Sequence, residues 1–279
     1  KNYTYALVLN ERQIYHPDQV QFLPVSFFKT HKIIAGDYSE ELIFESSGTT
    51  GMETSNHYVV DASWYEDSFT RGLQLAYGDM SQYVVFALLP SYLERKNSSL
   101  VYMVEKILQQ SNRQMGGFYL NELRELQQQL QEARSKGLKI MLFGVTFALL
   151  DMAEKYPVNM PEAIIIETGG MKGRRNELTR MELHEQLCKG FGVRKIHSEY
   201  GMTELLSQAW SSGDGIFRCP PWMKVMITDT NDPLSYLEPG RTGGINIIDL
   251  ANFHSCPFIA TQDLGRVFED GSFEVLGRF

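Results

Sequence analysis

The feature that most restricts the fold of this chain is the alternation of short apolar runs with amphipathic, helix-forming segments. Several of the apolar runs lead directly into glycine, serine or threonine residues. Between them, Leu123, Leu126 and Leu130 recur at helical spacing and share one helix face. Strands that alternate with helices predict an α/β fold with a mostly parallel sheet flanked by helices. We expect strands at 41–45, 82–89, 139–145, 163–167 and 193–197, and helices at 121–136, 146–155 and 179–189.

The character of the chain changes after about residue 213. Short strand patterns at 223–228, 244–250 and 272–276 are separated by turn signals such as Pro239-Gly240. This spacing is typical of a small β-rich unit. We therefore predict two parts, an α/β core over 1–213 and a β-rich subdomain over 214–279.

Composition excludes several functional classes. The chain has 279 residues, a net charge of −8 and no basic tract, so we expect no nucleic-acid partner. No apolar run reaches the roughly 18 residues that span a bilayer, so we expect no integral membrane segment. Cys188, Cys219 and Cys256 fit neither a metal site nor a disulfide framework, and we interpret them as structural. This pattern favours a reducing, cytoplasmic location and leaves the oligomeric state open.

The first motif that carries chemistry is a loop after the strand at 41–45. It consists of Ser46, Ser47, Gly48, Thr49, Thr50 and Gly51. Consecutive glycine and hydroxyl residues let backbone N–H groups converge on an anion, which suits the β- and γ-phosphates of ATP. No Gly-Lys-Ser/Thr follows, so the loop is not a Walker motif. A polar turn between a strand and a helix is the alternative interpretation.

The second motif follows the strand predicted at 193–197. It consists of Ser198, Glu199, Tyr200, Gly201, Met202, Thr203 and Glu204. Tyr200 offers a flat face for a purine, and Gly201 lets a nucleotide approach the backbone. Thr203 can bind the α-phosphate, and Glu204 can bind Mg²⁺, which prefers oxygen ligands. We predict both as catalytic residues. The alternative is the capped start of a helix over 204–210.

The third motif places an acid at the end of a strand, in Thr261-Gln262-Asp263. An aspartate at this position can accept hydrogen bonds from both hydroxyls of a ribose. Arg278 follows after a further hairpin and can return to the same sugar or to a phosphate. A turn residue and a solvated surface cation are the alternatives. His57, just after the first motif, is a candidate phosphate contact, although packing is the commoner role for such a histidine.

The order of the three motifs resembles that of the adenylate-forming superfamily, which contains acyl-CoA synthetases, peptide-synthetase adenylation domains and luciferase-type ligases. Gly169, Gly170 and Met171 stand where that superfamily places a loop that contacts adenine. Segments 89–95, 167–173 and 198–204 bring the chain closer to the LuxE-type acyl-protein synthetases, the long-chain-fatty-acid–luciferin-component ligases. The resemblance implies the fold of the large N-terminal domain of these enzymes. We expect the C-terminal lid, whose hinge would begin at Gly277-Arg278, to lie outside this sequence.

The resemblance also implies a function. It predicts ATP- and Mg²⁺-dependent activation of a carboxylic acid, a long-chain fatty acid in this branch, as an acyl-adenylate. The acyl group would pass to a thiol of a protein, and the partner would be an acyl reductase. The alternatives are an aryl-acid CoA ligase similar to phenylacetate-CoA ligases and a nucleotide-binding subunit without catalysis. Two departures bear on them: Met52-Glu53 replaces Pro-Lys after the phosphate loop, and Gln262 replaces glycine in the third motif.

Overall fold

The computed structural model describes residues 16, 19–46, 54–89, 97–169 and 178–278. In chain order the described strands are β1 (Leu23–Pro24), β2 (Leu42–Glu45), β3 (Asn56–Val59), β4 (Tyr83–Leu88), β5 (Gly117–Tyr119), β6 (Lys139–Val145), β7 (Ile164–Thr168), β8 (His197–Tyr200), β9 (Ala209–Ser211), β10 (Ile216–Arg218), β11 (Met223–Thr228), β12 (Gly243–Asp249), β13 (Phe258–Val267) and β14 (Phe273–Arg278). The described α-helices are α1 (Phe27–Thr30), α2 (Ala62–Tyr77), α3 (Ser99–Gln110), α4 (Leu123–Ser135), α5 (Thr146–Lys155) and α6 (Arg180–Phe191).

A single large sheet runs through the described chain, in the order β11-β12-β13-β14-β10-β9-β8-β7-β6-β4-β5, with β1 added beside β13. Strands β5, β4, β6, β7 and β8 pair in parallel, and the pairs from β8 to β11 are antiparallel. β2 and β3 form a separate antiparallel pair. The predicted α/β class, with helices flanking a large sheet, is therefore confirmed.

The sheet changes from parallel to antiparallel between β8 and β9, a few residues before position 213. The buried side chains form two clusters, one on each of these two parts of the sheet. The larger one surrounds the parallel strands and includes Leu142 and Ile165, whereas the smaller one lies on the antiparallel strands and includes Tyr200 and Phe273. Because the sheet is continuous across the change, a division into two domains at residue 213 stays a prediction.

Local signals set the ends of several elements. Helix α6 begins at a capping box, in which Thr179 and Glu182 each bind the other's backbone N–H, and it ends at Gly192 in the left-handed conformation. Helix α4 buries Leu126, Leu130 and Ala133 on the predicted face. No described helix is both long enough and apolar enough to cross a membrane.

The segment around the second motif differs from its prediction. The strand predicted at 193–197 is instead β8, which begins at His197 and runs through the motif to Tyr200. The alternative helix over 204–210 is wrong, because the chain turns at Thr203 and Glu204 and re-enters the sheet as β9. Pairing of β9 with β8 provides the backbone partners that a helix would have supplied.

Candidate functional site

The described parts of the three motifs meet at the carboxyl ends of the parallel strands β7 and β8, where open α/β sheets bind ligands. The structure describes ten of the residues predicted from sequence: Ser46, Gly169, Glu199, Tyr200, Gly201, Met202, Thr203, Glu204, Asp263 and Arg278. The other seven, Ser47, Gly48, Thr49, Thr50, Gly51, Gly170 and Met171, lie outside the described residues, as do residues 90–95 and 172–173 of the motifs that carry the closer resemblance.

Asp263 links the second motif to the third, and it lies within β13 rather than at the end of a strand as predicted from sequence. Its carboxylate accepts a hydrogen bond from the Tyr200 hydroxyl at 2.8 Å and one from Arg278 Nε at 2.9 Å. A carboxylate has room for about four such bonds, so two acceptor positions remain. The residue is 5% exposed, which makes it a largely buried acid held on two sides.

The ring of Tyr200 is anchored in the smaller core. It lies 5.8 Å from the ring of Phe217 and 5.5 Å from that of Phe273, and the residue is only 9% exposed. Burial, with the Asp263 charge beside it, raises the pKa of Tyr200 well above its usual value, so the phenol stays protonated and donates to Asp263. Stacking of a purine on this ring stays a prediction, since little of the ring is left uncovered.

Glu204 is a buried carboxylate beside the base of the phosphate loop. It is 7% exposed, and burial raises its pKa, partly offset by a hydrogen bond from Ser55 and by the charges of Arg278 and Lys29. Ser55 in turn pairs with Ser46: the Ser55 amide donates to Ser46 Oγ at 2.8 Å, and the Ser46 amide donates to the Ser55 carbonyl at 2.9 Å. The residues that flank the loop thus stand next to the predicted metal ligand.

The donor set around Glu204 fits a magnesium ion carried by phosphates. One carboxylate and nearby hydroxyl oxygens are hard donors, and Mg²⁺ commonly binds proteins through one or two carboxylates while substrate phosphates and water complete its shell. Among the described residues, no group of three or more His, Cys, Asp or Glu side chains forms a metal cage. Binding of a nucleotide-bound Mg²⁺ by Glu204 stays a prediction.

His57 packs against the second motif, and both of its ring nitrogens have hydrogen-bond partners in the protein. Nδ1 lies 2.9 Å from the Thr203 carbonyl, and Nε2 lies 3.0 Å from Ser255 Oγ. Burial lowers the pKa of His57 to about 4, so the ring is neutral at pH 7. Because a carbonyl can only accept, Nδ1 carries the proton and Nε2 accepts from Ser255. The packing interpretation of His57 thus fits the structure, and a phosphate contact by His57 stays a prediction.

Two glutamates lie side by side on neighbouring strands, Glu167 on β7 and Glu199, a member of the second motif, on β8. Thr168 Oγ1 donates to Glu199 at 2.5 Å, and Thr146 Oγ1 donates to Glu167 at 3.0 Å and to the Gly169 carbonyl at 2.8 Å. Burial, with the neighbouring Glu167 charge, raises the pKa of Glu199 to about 7. A Cβ on Gly201 would overlap the Glu199 carboxyl group, so any other residue at position 201 would require this side chain to shift.

Replacing Glu199 with glutamine is expected to remove a pH-dependent part of the stability. The folded-state pKa of about 7 exceeds the ordinary 4.5, so the folded protein holds a proton that the unfolded chain releases between these pH values. Relative to the variant, the wild type therefore gains stability as the pH falls from about 7 to about 4.5, by on the order of 1–3 kcal/mol.

Urea unfolding of both proteins across this pH range measures the difference. Burial lowers the pKa values of His57 and His197 to about 4, which gives stability the opposite pH slope. Both histidines are present in both proteins, so their contribution cancels in the difference. A difference that does not change with pH would show that the Glu199 carboxyl titrates normally.

Several residues of the site were missed by reasoning from sequence. Lys29 lies in the four-residue helix α1 and acts on Glu204 through its charge, and Ser55 bonds the same carboxylate. No motif contains either residue, and only the tertiary packing brings them to Glu204. The three cysteines are free, and burial raises the pKa of each thiol, to about 12 for Cys219, as expected of structural cysteines.

Comparison with known proteins finds solved structures with a similar fold. No protein-family model and no curated protein sequence matches the chain. Among solved structures, ATP-bound MatB from Rhodopseudomonas palustris matches 85% of this chain with a TM-score of 0.62 and 16% identity. O-succinylbenzoate coenzyme A synthetase (MenE) from Bacillus subtilis, solved with ATP and magnesium ion, matches 85% with a TM-score of 0.57 and 18% identity. An ATP-bound chimera of RpMatB and BxBclM matches 88%, with a TM-score of 0.63 and 17% identity.

The chain spans about half the length of these structures, with 47% of the MatB chain, 49% of the MenE chain and 49% of the chimera covered. At this level of identity the likeness concerns the fold. The chain has the fold of the N-terminal domain of adenylate-forming enzymes, as its motif order predicted.

Proposed function

We propose that this chain is the nucleotide-binding part of an enzyme that uses ATP to activate a carboxylic acid as an acyl-adenylate. The observation that carries the proposal is the convergence of Ser46, Glu204 and Asp263 around the carboxyl end of β8. These residues come from the three motifs and are far apart in sequence. The fold that assembles them is shared with MatB and MenE, which have been solved with ATP bound.

The proposed reaction is an in-line displacement at phosphorus. A carboxylate oxygen of the acid attacks the α-phosphorus of ATP, and the bond from that phosphorus to the bridging oxygen of the β-phosphate breaks. Pyrophosphate leaves with the bonding electron pair, and the acyl-adenylate remains. The acid is already ionised at neutral pH, so no general base is required. Catalysis then depends on positioning and electrostatics.

Each residue of the site has one task in this proposal. The Thr203 hydroxyl donates a hydrogen bond to the α-phosphate, and the loop that begins at Ser46 binds the β- and γ-phosphates. Asp263 accepts hydrogen bonds from the ribose through its two remaining acceptor positions. Glu204 would hold Mg²⁺, which neutralises charge on the phosphates when bound. Arg278 and Lys29 add positive charge on the same side as Glu204.

Fewer observations support the identity of the acid and of the thiol acceptor. The resemblance of segments 89–95, 167–173 and 198–204 to acyl-protein synthetases supports a long-chain fatty acid, a protein cysteine as acceptor and an acyl reductase as partner. The solved structures favour a second candidate acceptor, coenzyme A, because MenE is a coenzyme A synthetase. The two acceptors share the adenylation step and differ only in the thiol that follows it.

Exchange of labelled pyrophosphate into ATP tests the adenylation step. The protein that contains this chain is assayed with fatty, aryl and short dicarboxylic acids, and we expect exchange that requires both Mg²⁺ and one class of acid. Release of AMP that depends on coenzyme A would select that acceptor, and acyl transfer to a protein thiol would select the other. Tight ATP binding without exchange for any acid would overturn the proposal in favour of a nucleotide-binding subunit.

A further inference from the structure

The loop over residues 203–207 has an irregular backbone although it carries Thr203 and Glu204. It belongs to neither a helix nor a strand, so neither supplies its backbone partners. Buried backbone groups nevertheless need hydrogen bonds. In this loop, side chains from distant parts of the sequence provide them: the carbonyls of Thr203 and Glu204 and the amides of Leu206 and Ser207 are all bound in this way.

Asp249 holds the second half of the loop. It ends strand β12 and is completely buried. Its Oδ2 accepts from the amides of Leu206 at 3.0 Å and Ser207 at 2.9 Å, and its Oδ1 accepts from the Ser207 hydroxyl at 2.5 Å and the Ala251 amide at 3.0 Å. All four donors are neutral; three belong to the loop, and the fourth, the Ala251 amide, follows Asp249 in the chain.

Asn252 and His57 hold the first half of the loop. Asn252 is also completely buried; its Nδ2 donates to the Glu204 carbonyl at 2.8 Å, and its Oδ1 accepts from the Leu206 amide at 3.0 Å. His57 Nδ1 donates to the Thr203 carbonyl. The two residues whose side chains are assigned to phosphate and metal are thus held by their own carbonyl oxygens.

A chain of hydroxyl groups extends these contacts into helix α2. Trp222 Nε1 can only donate, and it lies 2.9 Å from Ser68 Oγ. Ser68 Oγ lies 2.9 Å from Ser207 Oγ, which donates to Asp249. Every proton in the series therefore points the same way, from Trp222 through Ser68 and Ser207 to Asp249. This direction is consistent with an Asp249 carboxylate that accepts every hydrogen bond it makes.

We propose that Asp249, Asn252 and His57 form a clamp that positions Thr203 and Glu204 for transfer of the adenylyl group of ATP to the acid. None of the three touches the reacting atoms in this proposal; each acts through the backbone of the loop. The inference rests on the proposed function for its catalytic consequence. Burial raises the pKa of Asp249 to about 6 and lowers that of His57 to about 4, so near pH 7.5 the aspartate is ionised and the histidine neutral, the states that the bonds require.

Asp249→Asn tests the aspartate. The asparagine amide has one acceptor oxygen, and its NH₂ group faces other hydrogen-bond donors. At least part of the hydrogen bonding to Leu206 and Ser207 is therefore lost. We expect the exchange rate at saturating ATP to fall about tenfold with the KM for ATP changed less than about threefold, since the loop orients the reacting phosphate rather than the nucleoside. Hydrogen exchange of the Leu206 and Ser207 amides, followed by NMR, should accelerate relative to the rest of the core.

Asp79→Asn is the matched control. Asp79 also accepts from a serine amide and a serine hydroxyl, those of Ser81 at 2.9 Å and 2.7 Å. It precedes β4, however, and so lies at the amino ends of the parallel strands, whereas the site lies at their carboxyl ends. This variant should keep the wild-type rate. Wild-type rate and wild-type amide protection in Asp249→Asn would overturn the clamp. If the wild type shows no exchange with any acid, the proposed function fails, and the amide protection still decides whether Asp249 holds the loop.

A pair of His57 variants separates positioning from packing. In His57→Asn the amide nitrogen stands near the Nδ1 position and can still donate to the Thr203 carbonyl. In His57→Gln the amide stands near the Nε2 position, so it keeps only the hydrogen bond with Ser255 and loses the one with Thr203. Both variants lose the ring contact with Phe28, whose centroid is 5.4 Å away. We expect His57→Asn to stay within about threefold of the wild-type rate and His57→Gln to lose about tenfold. Equal rates in the two variants would assign His57 to packing alone.

Discussion

Replacing Glu204 with glutamine is expected to reduce ATP–pyrophosphate exchange by on the order of 100- to 1,000-fold, because the charge that would hold Mg²⁺ against the phosphates is lost while the shape is kept. The same substitution should not destabilise the protein. Burial raises the pKa of Glu204, so its charge is unfavourable in the folded state at neutral pH, and a neutral amide removes that cost. Loss of activity with unchanged or increased thermal stability is the expected signature.

Exchange rates measured over a range of Mg²⁺ concentrations, together with thermal unfolding, test this prediction. Glu182→Gln is a useful control because Glu182 is exposed and its carboxylate belongs to the capping box of α6. A hydrogen bond from Thr179 lowers the pKa of Glu182, so this control should lose some stability and keep its activity, the reverse of Glu204→Gln. Near-normal exchange in Glu204→Gln, with unchanged Mg²⁺ dependence, would remove Glu204 from the metal site.

The parts of the fold that could be predicted from sequence are those with local signals. The bounds of helix α6 can be predicted from the capping box at its start and the glycine at its end. The parallel strands β6 and β7 can be predicted because they are short, mostly aliphatic runs with defined ends. The order of the three motifs also predicted that they form one nucleotide site, and Tyr200 of the second motif does contact Asp263 of the third. The position of Asp263 within β13, in the antiparallel part of the sheet, could not be predicted from that order.

The parts that could not be predicted depend on contacts between distant residues. The loop 203–207 takes no regular structure because Asp249 and Asn252, more than 40 residues away, bind its amides. The same is true of Lys29 and Ser55, which reach Glu204 through tertiary packing rather than through a motif. Polar side chains that bind a distant backbone have no periodicity, so no sequence pattern reveals them.

Replacing Asp263 with asparagine is expected to raise the KM for ATP by about 100-fold, since a charged acceptor for the ribose hydroxyls is lost. The change also leaves the Tyr200 hydroxyl and Arg278 without the carboxylate that binds them at 2.8 Å and 2.9 Å. We therefore expect a loss of about 1–3 kcal/mol in the free energy of unfolding. Tyr200→Phe serves as the control, because it removes one of these bonds and keeps the carboxylate.

Comparison of ATP with 2′-deoxy-ATP and 3′-deoxy-ATP separates the two effects. The wild type and Tyr200→Phe should prefer ATP to both analogues, whereas Asp263→Asn should lose most of this preference. If Asp263→Asn still discriminates against both analogues, another group binds the ribose, and Asp263 serves only to anchor Tyr200 and Arg278. Each ratio of kcat/KM is taken within one variant, so a smaller fraction of folded protein cancels out. The change in this ratio between variants therefore measures the binding energy between the ribose hydroxyls and the Asp263 carboxylate. If Asp263 had only a structural role, the ratio would be the same in Asp263→Asn as in the wild type.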